Sequence, residues 1–229
     1  MAYDKRISLD PRLTTIAELA GSCDCCADIG SDHGRLGAFL LQNGYCRRVV
    51  FTDISASSLE KARRLIALLG LCERADFCVG DGAHALNRKV DVAVIAGMGG
   101  ETIASIIEAS DGYLNGARLL LQPNVAAPQL RAKLCECGWR ISREALARDG
   151  RRIYPIIEAV EGREALNEMQ LEVGPALLRE RPPLLGDYAR FHIRVMERAL
   201  EGARRGGDDA TIRELTRVLR VWKEVEKWL

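Results

Sequence analysis

Apolar and polar positions along the chain follow two different spacings. From about residue 24 to residue 161, short apolar runs are followed by segments whose apolar residues recur every three or four positions. Such alternation indicates a parallel β-sheet with helices on both faces. We predict an α/β fold with a seven-stranded, mostly parallel sheet, whose strands are residues 25–29, 48–52, 75–79, 90–96, 117–122, 139–146 and 152–160.

Helical spacing predicts four helices before and between these strands. The first begins at Pro11 and is followed by Gly21, a start and a stop that are typical of helices. Its apolar stripe predicts that it covers the edge of the sheet or the mouth of a pocket. The other three are residues 36–43, 58–69 and 102–109.

The sheet pattern stops after residue 161, and a Pro-Pro pair precedes two helical segments that a Gly-Gly pair separates. These segments are residues 187–205 and 208–229, and the second repeats apolar residues at intervals of three or four. We therefore predict two domains. Residues 1–162 carry the sheet, and residues 163–229 form a C-terminal helical hairpin.

Charge and composition exclude some classes of function. The net charge of +1 excludes a strongly basic nucleic-acid module, although residues 179–229 carry 12 basic and 9 acidic side chains. No apolar stretch approaches the roughly 20 residues of a membrane span, and the start lacks the apolar core of a signal peptide. We expect a cytoplasmic protein without a membrane partner. The eight cysteines fit small buried residues of a reducing cytosol, and we expect no metal site.

A glycine-rich loop follows the first predicted strand. It resembles the loop of S-adenosyl-L-methionine (SAM) methyltransferases and contains Asp28, Gly30, Ser31, Asp32, His33 and Gly34. Gly30 and Gly34 permit close backbone approach to a ligand, and Asp28 can orient the loop or meet the amino acid end of the cofactor. The central glycine of such loops is replaced by Asp32, which would repel a pyrophosphate but tolerate a cationic sulfonium. The loop therefore favours SAM over a nicotinamide dinucleotide.

Three further strand tips carry residues that suit the same cofactor. Because the carboxyl ends of parallel strands meet at one edge, these tips are expected to line one pocket. An acid at the second tip can accept hydrogen bonds from ribose hydroxyls, an acid between glycines at the third can accept from the adenine amino group, and glycines at the fourth leave room beside the sulfonium. The predicted residues are Asp53, Ile54, Gly80, Asp81, Gly82, Ala96, Gly97 and Met98.

The fifth strand ends in Gln122-Pro123-Asn124, a stiff turn with two amides. Its chemistry is comparable to the Asn-Pro-Pro-aromatic turns that hold the adenine amino group in N6-methyltransferases. We predict that these three residues contact the substrate.

The motifs taken together resemble a known family. Residues 28–33, 96–100, 121–124 and 173–175 are similar to motifs of the bacterial tRNA adenine-N1 methyltransferases that modify adenine 22, and the resemblance extends from Leu9 to the C-terminus. It implies a Rossmann-like, class I SAM methyltransferase domain followed by a coiled-coil tail, with tRNA as the partner. The chain departs from the family's usual His-Ala-Tyr-Leu-Pro continuation of the first motif and from its Gly-Pro after the ribose-binding acid.

Methylation of adenine N1 creates a cation, so a nearby carboxylate can stabilise the charge and accept a proton from the exocyclic amine. We predict Asp32 as this group, a choice that the resemblance supports, with His33 as second choice. Phosphate contacts to tRNA are predicted for Arg12, Arg131, Arg194 and Arg198. The alternatives are a methyltransferase acting on another RNA or a small molecule, and a non-catalytic RNA-binding protein. A monomer is favoured.

Overall fold

The computed structural model describes residues 6–31 and 33–229 of the chain. Its strands are β1 (Cys23–Ile29), β2 (Cys46–Asp53), β3 (Ala75–Val79), β4 (Val92–Met98), β5 (Arg118–Pro123), β6 (Trp139–Asp149) and β7 (Arg152–Glu161). They form one sheet in the order β3-β2-β1-β4-β5-β7-β6. Strands β1 to β5 are parallel to one another, while β7 is antiparallel to both β5 and β6. The predicted seven-stranded, mostly parallel sheet is confirmed.

Helices cover both faces of this sheet. The described α-helices are α1 (Pro11–Ala20), α2 (Arg35–Gln42), α3 (Ala56–Leu68), α4 (Gly100–Glu108), α5 (Ala127–Glu136), α6 (Glu168–Val173), α7 (Pro175–Glu180), α8 (Leu185–Gly206) and α9 (Asp209–Glu226). Helices α1, α2 and α3 pack on one face, and α4 and α5 pack on the other. None of these helices is both long and apolar enough to cross a membrane.

The central strands are apolar on both faces, as parallel strands between two helical layers require. Along β4, Ala93 and Ile95 contact the layer of α4 and α5, whereas Val92 and Val94 contact the layer of α1 to α3. All four side chains are fully buried. Because helices cover both faces of the sheet, polar residues that could bind a ligand lie at the ends of the strands and in the loops that follow them.

Three helices, α5, α6 and α7, are absent from the sequence prediction. The inward stripe of α5 includes the buried Arg131 between Leu130 and Leu134, so a charge interrupts its apolar pattern. Helices α6 and α7 have six residues each, which is too short to display a helical period. The predicted C-terminal hairpin is confirmed as α8 and α9.

The hairpin packs against the antiparallel end of the sheet. Leu146 on β6 and Ile153 on β7 belong to the same buried cluster as Tyr188 on α8 and Trp222 on α9. His192 stacks on Trp222 with ring centroids 4.3 Å apart and an interplanar angle of 6°. This aromatic contact joins the two helices of the hairpin to each other, and the buried cluster around it joins them to the sheet.

Arg131 and Glu144 form a buried ion pair beneath the hairpin. The Nε of Arg131 donates to Glu144 Oε1 at 2.9 Å, and both side chains have no solvent exposure. The guanidinium also donates to the carbonyls of Leu171, Glu172 and Val173 at the end of α6. The predicted contact of Arg131 with tRNA phosphate is therefore wrong, because its side chain is not exposed to solvent and its N–H groups donate to Glu144 and to backbone carbonyls.

The other carboxylate oxygen of Glu144 completes this arrangement. It accepts the N–H of Ala176 at 3.0 Å and of Leu177 at 3.4 Å in the first turn of α7. The ion pair thus places a cation at the C-terminus of one helix and an anion at the N-terminus of the next, where the exposed carbonyls and N–H groups favour them. A Cβ on Gly174 would lie 2.4 Å from this carboxylate. The Val-Gly-Pro motif of the sequence is explained by this contact.

We predict that Arg131→Met lowers the free energy of unfolding by about 3–5 kcal/mol, because it leaves the Glu144 carboxylate buried and unpaired. Denaturant unfolding measures this difference. Arg143→Met is the matched control, because Arg143 lies on β6 beside Glu144, is largely exposed, and approaches Glu158 only to 3.9 Å. This substitution should cost less than about 1 kcal/mol. Equal small losses in both variants would contradict the structural role of the ion pair.

The pKa of His192 gives the hairpin a pH-dependent stability. Burial lowers the pKa of His192 to about 4, with a smaller contribution from the positive charge of Arg131. The pKa in the folded state lies below the unfolded value of roughly 6.5, so the folded state favours the neutral ring. Its contribution to stability is complete above pH 6.5 and is lost as the pH falls towards 4.

We predict that the wild-type protein loses up to about 3 kcal/mol relative to His192→Phe between pH 7 and pH 4. The difference between the two unfolding free energies isolates this titration, because all other groups titrate in both proteins. A difference that stays constant over this pH range would contradict the prediction.

Candidate cofactor and methyl-transfer site

The carboxyl ends of the parallel strands converge on two adjacent cavities. One has a volume of about 500 Å³ and lies beside the ends of β2, β3 and β4. The other has a volume of about 520 Å³ and lies between the loop after β1 and the N-terminus of α1. Gly30 and Met98 line both. We call them the first cavity and the second cavity.

The first cavity combines a partly exposed carboxylate with apolar walls. Asp53 lines it, and one oxygen of this carboxylate accepts the N–H of Ser55 at 2.7 Å. Ile54 is 74% exposed at the cavity, and Ile106 of α4 lies on its wall. An acid that is held by its own backbone turn can accept hydrogen bonds from vicinal hydroxyls, while flat apolar surfaces suit a purine ring. The remaining predicted residues of this cavity are Gly80, Asp81 and Gly82.

The second cavity is built around the glycine-rich loop. Asp28 is buried and accepts hydrogen bonds from Ser31 Oγ at 3.0 Å and from the N–H of Gly37 at 3.3 Å. Burial raises the pKa of the Asp28 carboxyl to about 6, against the opposing effect of these two hydrogen bonds. Asp28 therefore joins the loop to α2, which begins just after Gly34. Ala96 and Gly97 form the opposite side.

Met98 separates the two cavities. A Cβ on Gly30 would lie 2.0 Å from the Cε of Met98, and Gly30 has a φ of +75°. Any other residue would be strained at this position because a positive φ favours glycine, and the methyl group of Met98 would have to shift to make room for a Cβ. The Met98 thioether therefore packs over the loop, at the junction between the two cavities.

The Gln-Pro-Asn turn is hydrogen bonded to the end of β4. The Oε1 of Gln122 accepts from Arg12 and, at 3.1 Å, from the N–H of Gly97, while its Nε2 donates to Asn124 Oδ1 at 3.1 Å. Asn124 Nδ2 donates to the carbonyl of Gly97 at 2.7 Å. Gln122 and Pro123 are buried. The prediction that Gln122 and Pro123 contact the substrate is therefore wrong, since both stiffen the site from beneath; Asn124 is exposed.

The catalytic candidates lie at the second cavity. His33 is exposed and borders it. Asp32 lies outside the described residues, but both of its chain neighbours, Ser31 and His33, line the second cavity. Among the described residues, no cluster of three or more histidine, cysteine and acidic side chains is arranged to bind a metal ion.

Eight of the residues that line the first cavity are missing from the sequence prediction, and Thr102, Ile106 and His84 are among them. Thr102 and Ile106 project from the first turns of α4, and His84 comes from the short 3-10 turn at Gly82–Ala85. The sequence could have predicted Thr102 and Ile106, because residues in the first turns of a helix that follows a strand tip lie at the same edge of the sheet as that tip. His84 gave no such signal; its ring contacts the carbonyl of Ala109.

Comparison with known proteins identifies the family. A family model described as a methyltransferase domain matches residues 9–157. A tRNA (adenine(22)-N(1))-methyltransferase of Bacillus subtilis is 31% identical over 183 residues, which is 76% of this chain and 77% of the relative. The chain belongs to the tRNA (adenine(22)-N(1))-methyltransferase family.

Solved structures extend this likeness to the whole fold. The crystal structure of the Bacillus subtilis M1A22 tRNA methyltransferase TrmK matches with a TM-score of 0.86 at 26% identity, covering 96% of this chain and 99% of that one. The Streptococcus pneumoniae protein Sp1610, solved in complex with S-adenosyl-L-methionine, matches with a TM-score of 0.86 at 27% identity, covering 96% and 100%. At this coverage the helical hairpin is part of the architecture shared within the family.

The predicted RNA-binding arginines of this family member differ in their surroundings. Arg194 and Arg198 lie on exposed positions of α8, one helical turn apart. Neither has an ion-pair partner in the described part of the chain, whereas their neighbour Arg190 donates to Asp187 at 2.5 Å. Arg12 is only partly exposed and faces the second cavity. Exposed, unpaired arginines on one stripe of a helix are suited to phosphate contacts.

Proposed function

We propose that this protein transfers the methyl group of SAM to N1 of adenine 22 in tRNA, in the cytoplasm. The observation that carries the proposal is the pair of adjacent cavities at the strand tips, one suited to adenosine and one to an amino acid, which share Gly30 and Met98. Membership of the family supports the substrate. The name of the Bacillus subtilis relative supports the position of the methylated base.

The two cavities divide the cofactor between them. Asp53 would accept the ribose hydroxyls and Ile54 would contact the adenine in the first cavity. The amino acid end would lie in the second cavity, near Asp28 and Gly97. The sulfonium would then lie at Met98, where the cavities meet. Carboxylates lie on both sides of the cationic sulfur, Asp53 in the first cavity and Asp28 in the second.

The reaction needs alignment more than activation. The lone pair of adenine N1 attacks the methyl carbon, the carbon–sulfur bond breaks, and the electron pair returns to sulfur, which leaves as a thioether. The adenine becomes cationic, and its exocyclic amine becomes more acidic. We propose that Asp32 accepts that proton and stabilises the positive ring, because its neighbours Ser31 and His33 line the second cavity.

The base must leave the folded tRNA to reach this site, at a cost of a few kcal/mol. Contacts to phosphate offset that cost. We propose that the exposed stripe of Arg194 and Arg198 on α8 supplies some of them. The hairpin domain, residues 163–229, then serves as the tRNA-binding part and residues 1–162 as the SAM-binding catalytic part, in a monomer.

We predict that the protein binds SAM and not NAD, and that Asp53→Ala weakens SAM binding by about 1–3 kcal/mol through loss of hydrogen bonds to a charged group. Titration calorimetry measures both. Asp24→Ala is the matched control, because Asp24 is an exposed carboxylate at the opposite end of the sheet, paired with Arg47 at 3.5 Å. Saturable NAD binding without SAM binding would contradict the cofactor assignment.

We predict that Asp32→Ala keeps the SAM affinity and the melting temperature of the wild type but transfers methyl groups at least about 100-fold more slowly. The reason is that the proposed role of Asp32 arises in the transition state. Single-turnover transfer to tRNA measures the rate. Full activity would contradict the mechanism, and a larger loss in His33→Ala at equal SAM affinity would assign the proton to the histidine.

A further inference from the structure

Three cysteines meet near the amino ends of β1 and β2, at the opposite end of the sheet from the two cavities. Cys23 is the first residue of β1, Cys46 is the first residue of β2, and the two are register partners in neighbouring parallel strands. Cys26 and Cys46 are buried and Cys23 is half-buried. All three contact the apolar cluster on the face of α1 to α3, and all three are free thiols. We call them the thiol cluster.

An irregularity in β1 brings Cys23 and Cys26 to the same face of the sheet. Residues three positions apart in a regular strand point to opposite faces. In β1, one carboxylate oxygen of Asp91 accepts the N–H groups of both Asp24 and Cys25, at 3.0 Å and 2.8 Å. Two successive N–H groups that point to one acceptor break the regular alternation of the strand. Cys25 packs on the other face, whereas Cys23 and Cys26 share the face of α1 to α3.

Cys23 is the hydrogen-bond acceptor of the thiol cluster. The S–H groups of Cys26 and Cys46 donate to its sulfur and lower the pKa of Cys23 well below its usual range, against the opposing effects of burial and of the Asp91 carboxylate. The same contacts and burial raise the pKa of Cys26 and of Cys46. The thiolate of the cluster therefore resides on Cys23, the member that solvent reaches. The thiolate is also the form of cysteine that peroxides oxidise.

Backbone geometry selects Cys46 as the disulfide partner of Cys23. A disulfide needs Cα atoms about 4.4–6.8 Å apart, and paired residues of neighbouring strands lie about 4.8 Å apart. Cys23 and Cys46 meet this requirement as register partners. Cys26 lies three residues further along the same strand, a distance of about 9–10 Å between Cα atoms, which a disulfide does not span. Cys26 therefore contributes a hydrogen bond and not a covalent bond.

We propose that Cys23 is a peroxide-sensitive thiol and that Cys46 captures its oxidised form as a disulfide. The Cys23 thiolate attacks one oxygen of hydrogen peroxide, the O–O bond breaks, and the hydroxide that leaves takes a proton from solvent. The Cys46 sulfur then attacks the sulfur of the Cys23 sulfenic acid, the S–O bond breaks, and the hydroxyl leaves as water with the Cys46 proton. Two thiols lose two electrons, and one peroxide becomes two waters. The site is independent of the proposed methyl transfer.

Peptide mapping tests the pairing. Reduced wild-type protein is treated with one equivalent of hydrogen peroxide, the remaining thiols are alkylated, and the chain is digested without reduction by a protease that cleaves before aspartate. Because Asp24 directly follows Cys23, this cleavage separates Cys23 from Cys25 and Cys26. We expect peptide 10–23 joined to peptide 32–52, with a mass two hydrogens below the sum of the two.

Cys72 is the internal control, because it is an exposed thiol outside the thiol cluster. We expect peroxide to oxidise Cys72 at least about 10-fold more slowly than Cys23. Oxidation of Cys72 before Cys23 would overturn the proposal, since reactivity would then follow exposure alone. A bond from Cys23 to Cys25 or Cys26, or a bond between two chains, would also overturn it.

Variants separate the roles of the three thiols. Cys46→Ser should stop the reaction at the sulfenic acid of Cys23, which dimedone traps, whereas Cys26→Ala should still form the disulfide. Cys72→Ser is the matched control and should behave as the wild type. A disulfide on Cys23 that persists in Cys46→Ser would contradict the assignment of the partner.

Thermal unfolding tests whether the bond forms in the native fold. The disulfide would close a loop that contains the glycine-rich loop and α2, so the oxidised wild type should melt at a higher temperature than the reduced protein, and dithiothreitol should reverse the difference. A lower melting temperature after oxidation would assign the bond to partly unfolded chains and would overturn the proposal.

Discussion

The buried pair of Arg131 and Glu144 connects the two parts of this molecule. The Arg131 guanidinium donates to the last carbonyls of α6, and the Glu144 carboxylate accepts from the first N–H groups of α7. A single ion pair therefore holds the segment that leads into the hairpin. A buried charge without its partner is costly, which makes the arrangement all-or-none. The requirement for Gly174 beside Glu144 follows from the same contact. The hairpin is therefore fixed to the sheet at its antiparallel end.

The cofactor site depends on a second constraint, the convergence of parallel strands at one edge. Apolar residues occupy both faces of the sheet, and acids and glycines follow the strand ends. Gly30 allows Met98 to pack over the loop, and this contact divides the edge into an adenosine half and an amino acid half. The hydrogen bonds of Gln122 hold the ends of β4 and β5 together beneath the second half.

The sequence predicts the strand tips well because their pattern is local. A short apolar run followed by an acid and a glycine marks a tip wherever it occurs, and Asp53 and Asp81 both line the first cavity as expected. Long-range partners are what the pattern does not contain. Arg131 has the appearance of a surface arginine on a helix, because its partner Glu144 lies 13 positions away on a strand. The prediction for Gln122 is wrong for the same reason, because its partner Arg12 lies 110 positions away in the chain.

The assignment of the chain to tRNA methylation can be tested in one measurement. Purified protein is incubated with isotopically labelled SAM and two tRNA transcripts that differ only by adenine or guanine at position 22, and the product is mapped by mass spectrometry of nuclease fragments. The account predicts N1-methyladenine at position 22 of the first transcript and no label in the second. Equal labelling of both, or label at another nucleotide, would contradict it.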